Sequence, residues 1–331
     1  MSLPAARRLQ LPPLRLPDGS TEPGITLSVH EAGTGAAIVL SHGFPELGYS
    51  WRHQFAPLTA AGYRVIAPDQ RGYGASDKPE SIAAYDIHHL CGDLVAMLDV
   101  LGIDKAVFVG HDWGGFLVWA MPYLYPERVA GVVGVNTPLM ARSSMPPTQL
   151  LRMLVGGNDE KLYILWFQQP GVAEAVLDAT PGLVFEKLLR TGVPMEEITR
   201  RLVADFDLNP FRRLAELEEI GDPIGTPAER AHYADVFTRT GFRGGINWYR
   251  NLDRNWETAP DIGARPIDVP SLMVCAALDP ALRPEMASGM PALCRDLETV
   301  TIEHCGHWTQ QERPDELNRI LLDWLRRKIA S

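Results

Sequence analysis

The chain has 331 residues, 46% of them hydrophobic, and carries a formal net charge of −10 at pH 7. This negative charge argues against nucleic acid or an anionic membrane as the main partner, and it favours a neutral small molecule. A chain of this length usually exceeds what one hydrophobic core organises, so we expect a core domain with a large insertion or a second lobe.

Three features of the sequence bear on cellular location. The four cysteines form no C-x-x-C pair, which favours free thiols in a reducing compartment over a disulfide framework. Prolines interrupt the N-terminal segment 1–17, which lacks the apolar core of a signal peptide. No run approaches the roughly 20 apolar residues that a transmembrane helix needs. We therefore expect a cytoplasmic protein without membrane insertion, and the oligomeric state is left between a monomer and a homodimer.

In chain order, apolar segments typical of strands alternate with helical patterns. These segments lie at 25–29, 36–41, 63–67, 106–110, 130–136, 270–276 and 297–302. The alternation predicts an α/β fold with a mostly parallel sheet flanked by helices. The chain closes with a helix whose apolar residues recur at helical spacing, namely Leu317, Ile320, Leu321 and Trp324.

The strand pattern is interrupted in the middle of the chain. Between Val135 and Val269 no comparable strand is present. The segments there are helix-like, at 171–190, 195–206 and 211–220, and they are broken at Pro181, Pro194, Pro210 and Pro223. We interpret this region as a helical cap inserted into the sheet domain. The predicted division is a first core part at 1–137, a cap at 138–252 and a second core part at 253–331.

The stretch FVGHDWGG at 108–115 joins one predicted strand to the following helix. Its pattern Gly110-x-Asp112-x-Gly114 is typical of a nucleophile elbow, in which glycines permit a turn so tight that the central side chain points into the site. The central residue is an aspartate, where many hydrolases carry a serine. A carboxylate is already ionised at neutral pH and suits displacement at a saturated carbon, as in epoxides and alkyl halides.

Such an attack leaves an ester on Asp112, and water must then cleave it with the help of a histidine base oriented by an acid. Asp279 and His307 each follow a predicted strand, in the chain order nucleophile, acid, histidine. His304 is the alternative base, but it falls inside the strand pattern. Ester hydrolysis also builds negative charge on the carbonyl oxygen, for which we expect the backbone N–H groups of Phe44 and Trp113 as donors.

Six motifs extend this interpretation: HGFPE (42–46), DQRGYGASDKP (69–79), GHDWGG (110–115), YILWFQQPGVAEA (163–175), GFRGGINWYRN (241–251) and CGHWTQ (305–310). With them the chain resembles the epoxide hydrolases of the α/β-hydrolase fold, and in particular the hydrolase domain of soluble epoxide hydrolases. The resemblance implies that Tyr163 and Tyr249 hold the epoxide oxygen. Their phenols also supply the proton donor that an opening epoxide requires.

The resemblance implies a small apolar epoxide and water as the reactants, without a metal or another cofactor. We expect the substrate pocket to be lined by His42, Pro45, Trp113, Trp166, Phe167 and Trp308.

Three alternatives are kept. A haloalkane or haloacid dehalogenase shares the aspartyl ester but has no need of paired phenols. An esterase would carry serine in place of Asp112. A non-catalytic relative that binds a small molecule or a protein would be expected to lack a member of the set Asp112, Asp279 and His307, and all three are present.

Overall fold

A computed structural model describes residues 3–202 and 207–329, and this part of the chain contains ten strands. They are β1 (Arg7–Gln10), β2 (Leu14–Arg15), β3 (Thr21–Glu22), β4 (Thr26–Ala32), β5 (Ala37–Ser41), β6 (Arg64–Asp69), β7 (Ala106–His111), β8 (Val129–Val135), β9 (Ser271–Ala276) and β10 (Leu297–Ile302). Strands β4 to β10 correspond to the seven predicted apolar segments. The short strands β1 to β3 lie in the N-terminal segment, where no strand is predicted.

Eight of these strands form one sheet in the order β1-β4-β6-β5-β7-β8-β9-β10. Neighbours from β6 to β10 pair in parallel, whereas β4 pairs antiparallel with both β1 and β6. The predicted α/β fold with a mostly parallel sheet is therefore confirmed. Strand β5 lies between β6 and β7. The chain therefore adds β6 on one side of β5 and then crosses over to add β7 on the other side. The carboxyl ends of β5 and β7 thus flank a switch point of the kind where such sheets place ligands.

The described residues also contain thirteen α-helices. They are α1 (Arg52–Ala60), α2 (Ile87–Val100), α3 (Trp113–Leu124), α4 (Pro147–Leu154), α5 (Tyr163–Trp166), α6 (Val172–Leu177), α7 (Pro181–Leu188), α8 (Met195–Leu202), α9 (Pro227–Thr240), α10 (Arg243–Arg250), α11 (Leu252–Thr258), α12 (Thr309–Glu312) and α13 (Pro314–Lys328). Short 3-10 helices lie at Gly48–Trp51, Ile82–Tyr85, Pro126–Arg128, Asp159–Lys161, Pro210–Glu216 and Pro284–Ala292. Among residues 3–202 and 207–329, no helix has both the length and the apolar character needed to cross a bilayer.

Both faces of the sheet are covered because successive residues of a strand point to opposite faces. Val107 and Val109 of β7 lie in one apolar cluster, together with residues of α1 and α13. Phe108, between them, lies in the second cluster with residues of α2 and α3. All four apolar residues predicted for the closing helix belong to the first cluster, so this helix packs its apolar face on the sheet.

The segment between β8 and β9 is helical where it is described. It contains α4 to α11, and its β-structure is limited to isolated bridges. Its helices pack on one another: Phe185 of α7 stacks on Tyr233 of α9 and also contacts Phe237.

Predicted and observed helices in this segment agree in part. The predicted break at Pro181 is confirmed: it separates α6 from α7, which begins at this proline, since proline is well suited to the first position of a helix. The predicted segment 211–220 is in part a 3-10 helix, Pro210–Glu216. Helix α8 matches the start of the predicted segment 195–206. Residues 203–206 of that segment lie outside the described part of the chain. Residues 1, 2, 330 and 331 of the predicted core ranges also lie outside it. The cap boundaries at 138–252 stay a prediction.

Candidate active site

A sharp turn between β7 and α3 carries Asp112. Its backbone lies at φ 51° and ψ −121°, a region that residues with side chains rarely adopt. The flanking glycines make the turn possible. A Cβ atom on Gly110 would lie 2.1 Å from the carbonyl oxygen of Gly114, and one on Gly114 would lie 2.1 Å from that of Ser41. The turn therefore depends on both glycines of the elbow pattern, and strain of this kind is typical of functional sites.

Backbone N–H groups lie at the Asp112 carboxylate. The N–H of Phe44 donates to Oδ1 over 2.7 Å, and a hydrogen bond from the N–H of Trp113 also lowers the Asp112 pKa. Burial acts the other way and leaves the pKa of Asp112 above its ordinary value, although the charges of His307 and His111 oppose it. Both predicted oxyanion donors thus lie at Asp112.

His307 lies between two carboxylates. Its Nδ1 is 2.9 Å from Oδ2 of Asp279, and its Nε2 is 3.9 Å from Oδ2 of Asp112. Burial alone would lower the His307 pKa, but the charge and hydrogen bond of Asp279, with a further contribution from Asp112, raise it to about 9. In the free protein His307 therefore carries a proton at neutral pH.

The orientation of Asp279 is fixed by donors on both of its oxygens. The N–H groups of Ala281 and Leu282 donate to Oδ1 over 2.9 and 3.0 Å, and Asn136 donates from Nδ2 to Oδ2 over 2.7 Å. Burial would raise the pKa of Asp279, but the charge of His307 and these hydrogen bonds hold it far below its ordinary value. Asp279 is thus a permanent anion facing His307.

The alternative histidine is not brought to this group. His304 is exposed, and its carbonyl oxygen accepts a hydrogen bond from Nε of Arg313 over 2.6 Å. His307, three residues later in the loop after β10, is the histidine that faces Asp112.

Two phenols from the helices inserted between β8 and β9 complete the group. Tyr163 begins α5 and Tyr249 lies near the end of α10, with ring centroids 5.7 Å apart. Burial raises the pKa of both phenols, and the charge of Asp112 acts in the same direction. Both therefore stay protonated at neutral pH. The ring of Tyr249 lies 5.0 Å from that of Trp113, the residue after Asp112.

The predicted pocket residues occupy different places. Phe167 packs on Tyr249 with centroids 5.0 Å apart, and Trp166 contacts Phe167 at 5.8 Å. Trp308 lies 4.8 Å from His307 by ring centroids. Pro45 is buried and follows Phe44 through a cis peptide bond. These positions surround the phenols and the histidine, but a role in lining the substrate pocket stays a prediction for all six residues.

His42 is held by its own loop. Its Nε2 accepts the backbone N–H of Gln70 over 3.0 Å, so Nδ1 carries the proton and donates to the carbonyl oxygen of Gly43 over 2.9 Å. Burial, the largest influence, lowers the pKa of His42, so the ring is neutral. Its evident contribution is to the shape of the loop that carries the N–H of Phe44.

Sequence reasoning missed an ion pair beneath the site. Glu46 Oε2 lies 2.7 Å from Nδ1 of His111, whose Nε2 lies 2.6 Å from the carbonyl oxygen of His307. Glu46 also accepts the N–H of Gly43 and the side-chain amide of Gln310. Burial would raise the Glu46 pKa, but the charge of His111 and these bonds lower it to about 2.

Two further residues were missed, Asn136 and Phe211. Asn136 follows β8 at φ 65° and orients Asp279, so the signal that identified Asp279, a polar residue directly after a strand, also applies to it. Phe211 packs on Tyr163 and Phe167 with centroids 5.4 and 5.2 Å away. Its contacts join segments far apart in the chain, and no sequence pattern marks them.

Comparison with known proteins identifies the family. Residues 36–314 match the family described as alpha/beta hydrolase fold. The chain is 45% identical over 315 residues to Epoxide hydrolase A of Mycobacterium tuberculosis, covering 91% of this chain and 94% of that protein. The chain belongs to the epoxide hydrolases of the α/β-hydrolase fold. The resemblance drawn from the motifs is thereby confirmed.

Other relatives agree. Bifunctional epoxide hydrolase 2 of Rattus norvegicus is 42% identical over 320 residues, which cover 94% of this chain and 55% of the rat protein. The crystal structure of Epoxide Hydrolase A from Mycobacterium thermoresistibile superposes with a TM-score of 0.85 at 42% identity, over 98% of each chain.

No metal site accompanies these residues in the described part of the chain. Within it, no group of three or more His, Cys, Asp or Glu side chains is arranged to hold a metal ion.

The link between Asp112 and His307 yields a direct prediction. Replacing Asp112 with Asn removes a negative charge that raises the His307 pKa and preserves the shape of the side chain. The His307 pKa is therefore expected to be lower in D112N than in the wild type, as measured by 15N NMR titration of the histidine rings. Intact-mass measurement verifies that the amide persists, and an unchanged or higher pKa would contradict the coupling.

Proposed function

We propose that the protein hydrolyses small apolar epoxides to vicinal diols through a covalent ester on Asp112. The observation that carries the proposal is the different surroundings of the two Asp112 oxygens. Oδ1 accepts the N–H of Phe44 at 2.7 Å, whereas Oδ2 faces His307 Nε2 at 3.9 Å. Oδ2 is then the oxygen that attacks carbon, and Oδ1 becomes the carbonyl oxygen of the ester.

In the first step Oδ2 of Asp112 forms a bond to a ring carbon as the carbon–oxygen bond of the epoxide breaks. Tyr163 and Tyr249 donate hydrogen bonds to the ring oxygen, and one phenol transfers its proton to the developing alkoxide. The raised pKa keeps both phenols protonated at neutral pH. An alkoxide is a stronger base than a phenolate and can therefore take the proton of one of them.

In the second step water attacks the carbonyl carbon of the ester. His307 takes a proton from the water, while negative charge on Oδ1 is stabilised by the N–H groups of Phe44 and Trp113. The ester bond then breaks and the diol leaves. The departing alkoxide takes the proton held by His307 and becomes a hydroxyl of the diol. The carboxyl group left on Asp112 then gives its remaining water-derived proton to His307, and Asp112 is again a carboxylate.

Loss of the Asp112 charge links the two steps. In the free protein this charge contributes to the raised His307 pKa. An ester is neutral, so the His307 pKa falls when the ester forms. His307 then gives up its proton, which restores the phenol that became a phenolate in the first step, and the neutral imidazole can act as the base. Asp279 keeps its charge and orients the ring throughout.

The surroundings support an apolar substrate. The phenols are enclosed by the aromatic rings of Phe44, Phe167 and Phe211. A dehalogenase is supported less well, because it has no need of the two phenols that lie together beside Trp113. Release of halide from haloalkanes without diol formation from epoxides such as styrene oxide would favour that alternative. We also propose a cytoplasmic location, since all four cysteines are free and buried.

The source of the new oxygen atom tests the covalent step. In a single turnover in oxygen-18 water, with enzyme in excess, the diol is expected to be largely unlabelled and the Asp112 peptide labelled, because the first oxygen comes from the carboxylate. Mass spectrometry of diol and peptide reads both labels. Many turnovers in the same water, the control, should give labelled diol. Label in the diol from the first turnover would mean direct attack by water.

Replacing His307 with Gln removes the base of the second step but leaves the attack by Asp112 possible. The ester is expected to persist at least about 100-fold longer than in the wild type, given what general bases usually contribute. Intact-protein mass spectrometry should show a mass increase of one epoxide. H304Q serves as the matched control and should behave as the wild type. Accumulation in H304Q instead of H307Q would reverse the assignment.

The two phenols should be partly redundant. Y163F or Y249F alone is expected to slow ring opening by roughly 10-fold to 100-fold, because one donor remains, and the double variant by much more. The rate is measured as ester formation in single turnovers. Y125F is a change of the same kind at the tyrosine that directly follows α3, at the other end of that helix from Asp112, and it should have little effect. Ring opening at the wild-type rate in the double variant would exclude the proposed role.

A further inference from the structure

Arg250 directly follows Tyr249, and its side chain is only 3% exposed. A guanidinium group has five N–H donors, and all five are used here. Nε donates to the carbonyl oxygen of Phe167 at 2.8 Å; Nη1 donates to Glu174 Oε1 at 2.6 Å and Asn247 Oδ1 at 2.9 Å; Nη2 donates to Glu174 Oε2 at 3.0 Å and the carbonyl oxygen of Gln169 at 3.1 Å. This arrangement fixes the guanidinium plane completely.

The backbone acceptors lie in the segment that continues from Tyr163. The N–H of Phe167 donates to the carbonyl oxygen of Tyr163 at 2.9 Å, and the carbonyl oxygen of Phe167 accepts from Arg250. Gln168 crosses in the opposite direction, donating from Nε2 to the carbonyl oxygen of Tyr249 at 3.0 Å. Two side chains thus join the turn that carries Tyr163 to the end of the helix that carries Tyr249.

The ion pair makes this connection stiff. Glu174 of α6 receives Arg250 through both carboxylate oxygens, the planar geometry that arginine forms best. Burial would raise the pKa of Glu174, but the hydrogen bond from Arg250 leaves it below its ordinary value. The pair therefore stays ionised at neutral pH and connects α5, α6 and α10 around one buried group.

We propose that Arg250 is a positioning residue that sets the spacing between the Tyr163 and Tyr249 phenols. This inference rests on the proposed function, in which both phenols bind the epoxide oxygen. The phenols act in ring opening, whereas ester hydrolysis depends on groups at the ends of the strands. Loosening Arg250 therefore slows ester formation and leaves ester hydrolysis nearly unchanged.

Lysine is the informative replacement for Arg250. It retains the positive charge opposite Glu174 but has three donors on a flexible stem, so it cannot satisfy the five acceptor contacts or keep their plane. Arg243 provides the matched control, because it begins the same helix, is exposed, and donates to the carbonyl oxygen of Glu80. R243K repeats the chemical change away from the phenols.

The two steps are measured separately by rapid quench and intact-protein mass spectrometry with styrene oxide. R250K is expected to form the ester at least about 10-fold more slowly, because misplacing a reacting group by ~1 Å can cost ~100-fold. Its ester should break down within about twofold of the wild-type rate, and R243K should change neither step. Equal slowing of both steps, or unchanged ester formation, would overturn the proposal.

A double-mutant cycle separates positioning from general support of the fold. In a Y249F background the spacing of two phenols no longer matters, so R250K should slow ester formation by less than about threefold. An undiminished effect there would also overturn the proposal. If R250K does not fold, Q168M removes the amide that reaches Tyr249 at similar side-chain volume and should slow the same step. A wild-type protein that forms no ester would instead overturn the proposed function, and the inference with it.

Discussion

The backbone of Asp112, at φ 51°, is the constraint on which the rest of the site depends. The turn brings Asp112 so close to the loop after β5 that a Cβ on Gly43 would lie 2.4 Å from Oδ1. Because the loop lies so close, Oδ1 accepts the N–H of Phe44, while Oδ2 faces His307. The local geometry therefore distinguishes the two oxygens of the carboxylate before any substrate binds. A relaxed turn would lose this distinction and the oxyanion donors together.

The same turn assembles a buried group of alternating charges. Asp279, His307 and Asp112 form one series, and Glu46 and His111 form a second beside it. Because these groups are buried, their charges are screened only weakly and interact strongly. A change of charge at one residue therefore shifts the pKa of its neighbours. Ester formation removes the charge of Asp112 and leaves His307 facing Asp279 alone. The attack on carbon thereby prepares the base for the hydrolysis that follows.

The fold could be predicted from the sequence because its strands are long, apolar and separated by helical patterns. The elbow could be predicted as well, since its glycines and aspartate lie close together in the sequence. Strands β1 to β3 were not predicted, because strands of two to four residues in a proline-rich segment have no apolar alternation to detect. The pairing of Glu46 with His111 could not be predicted either, because it joins residues 65 positions apart and depends on how the loop after β5 meets the end of β7.

The groups of the site come partly from the sheet and partly from the inserted helices, and there is a chemical reason for this arrangement. Displacement at carbon requires the attacking oxygen and the departing oxygen to lie on opposite sides of that carbon. Asp112 attacks from the end of the sheet, so the donors to the departing oxygen must come from another part of the chain. Tyr163 and Tyr249 lie on inserted helices, where no hydrogen-bonded strand register sets their spacing. Phenols in that position need contacts of their own to fix their separation, and the bonds that Arg250 and Gln168 make across α5 and α10 provide them.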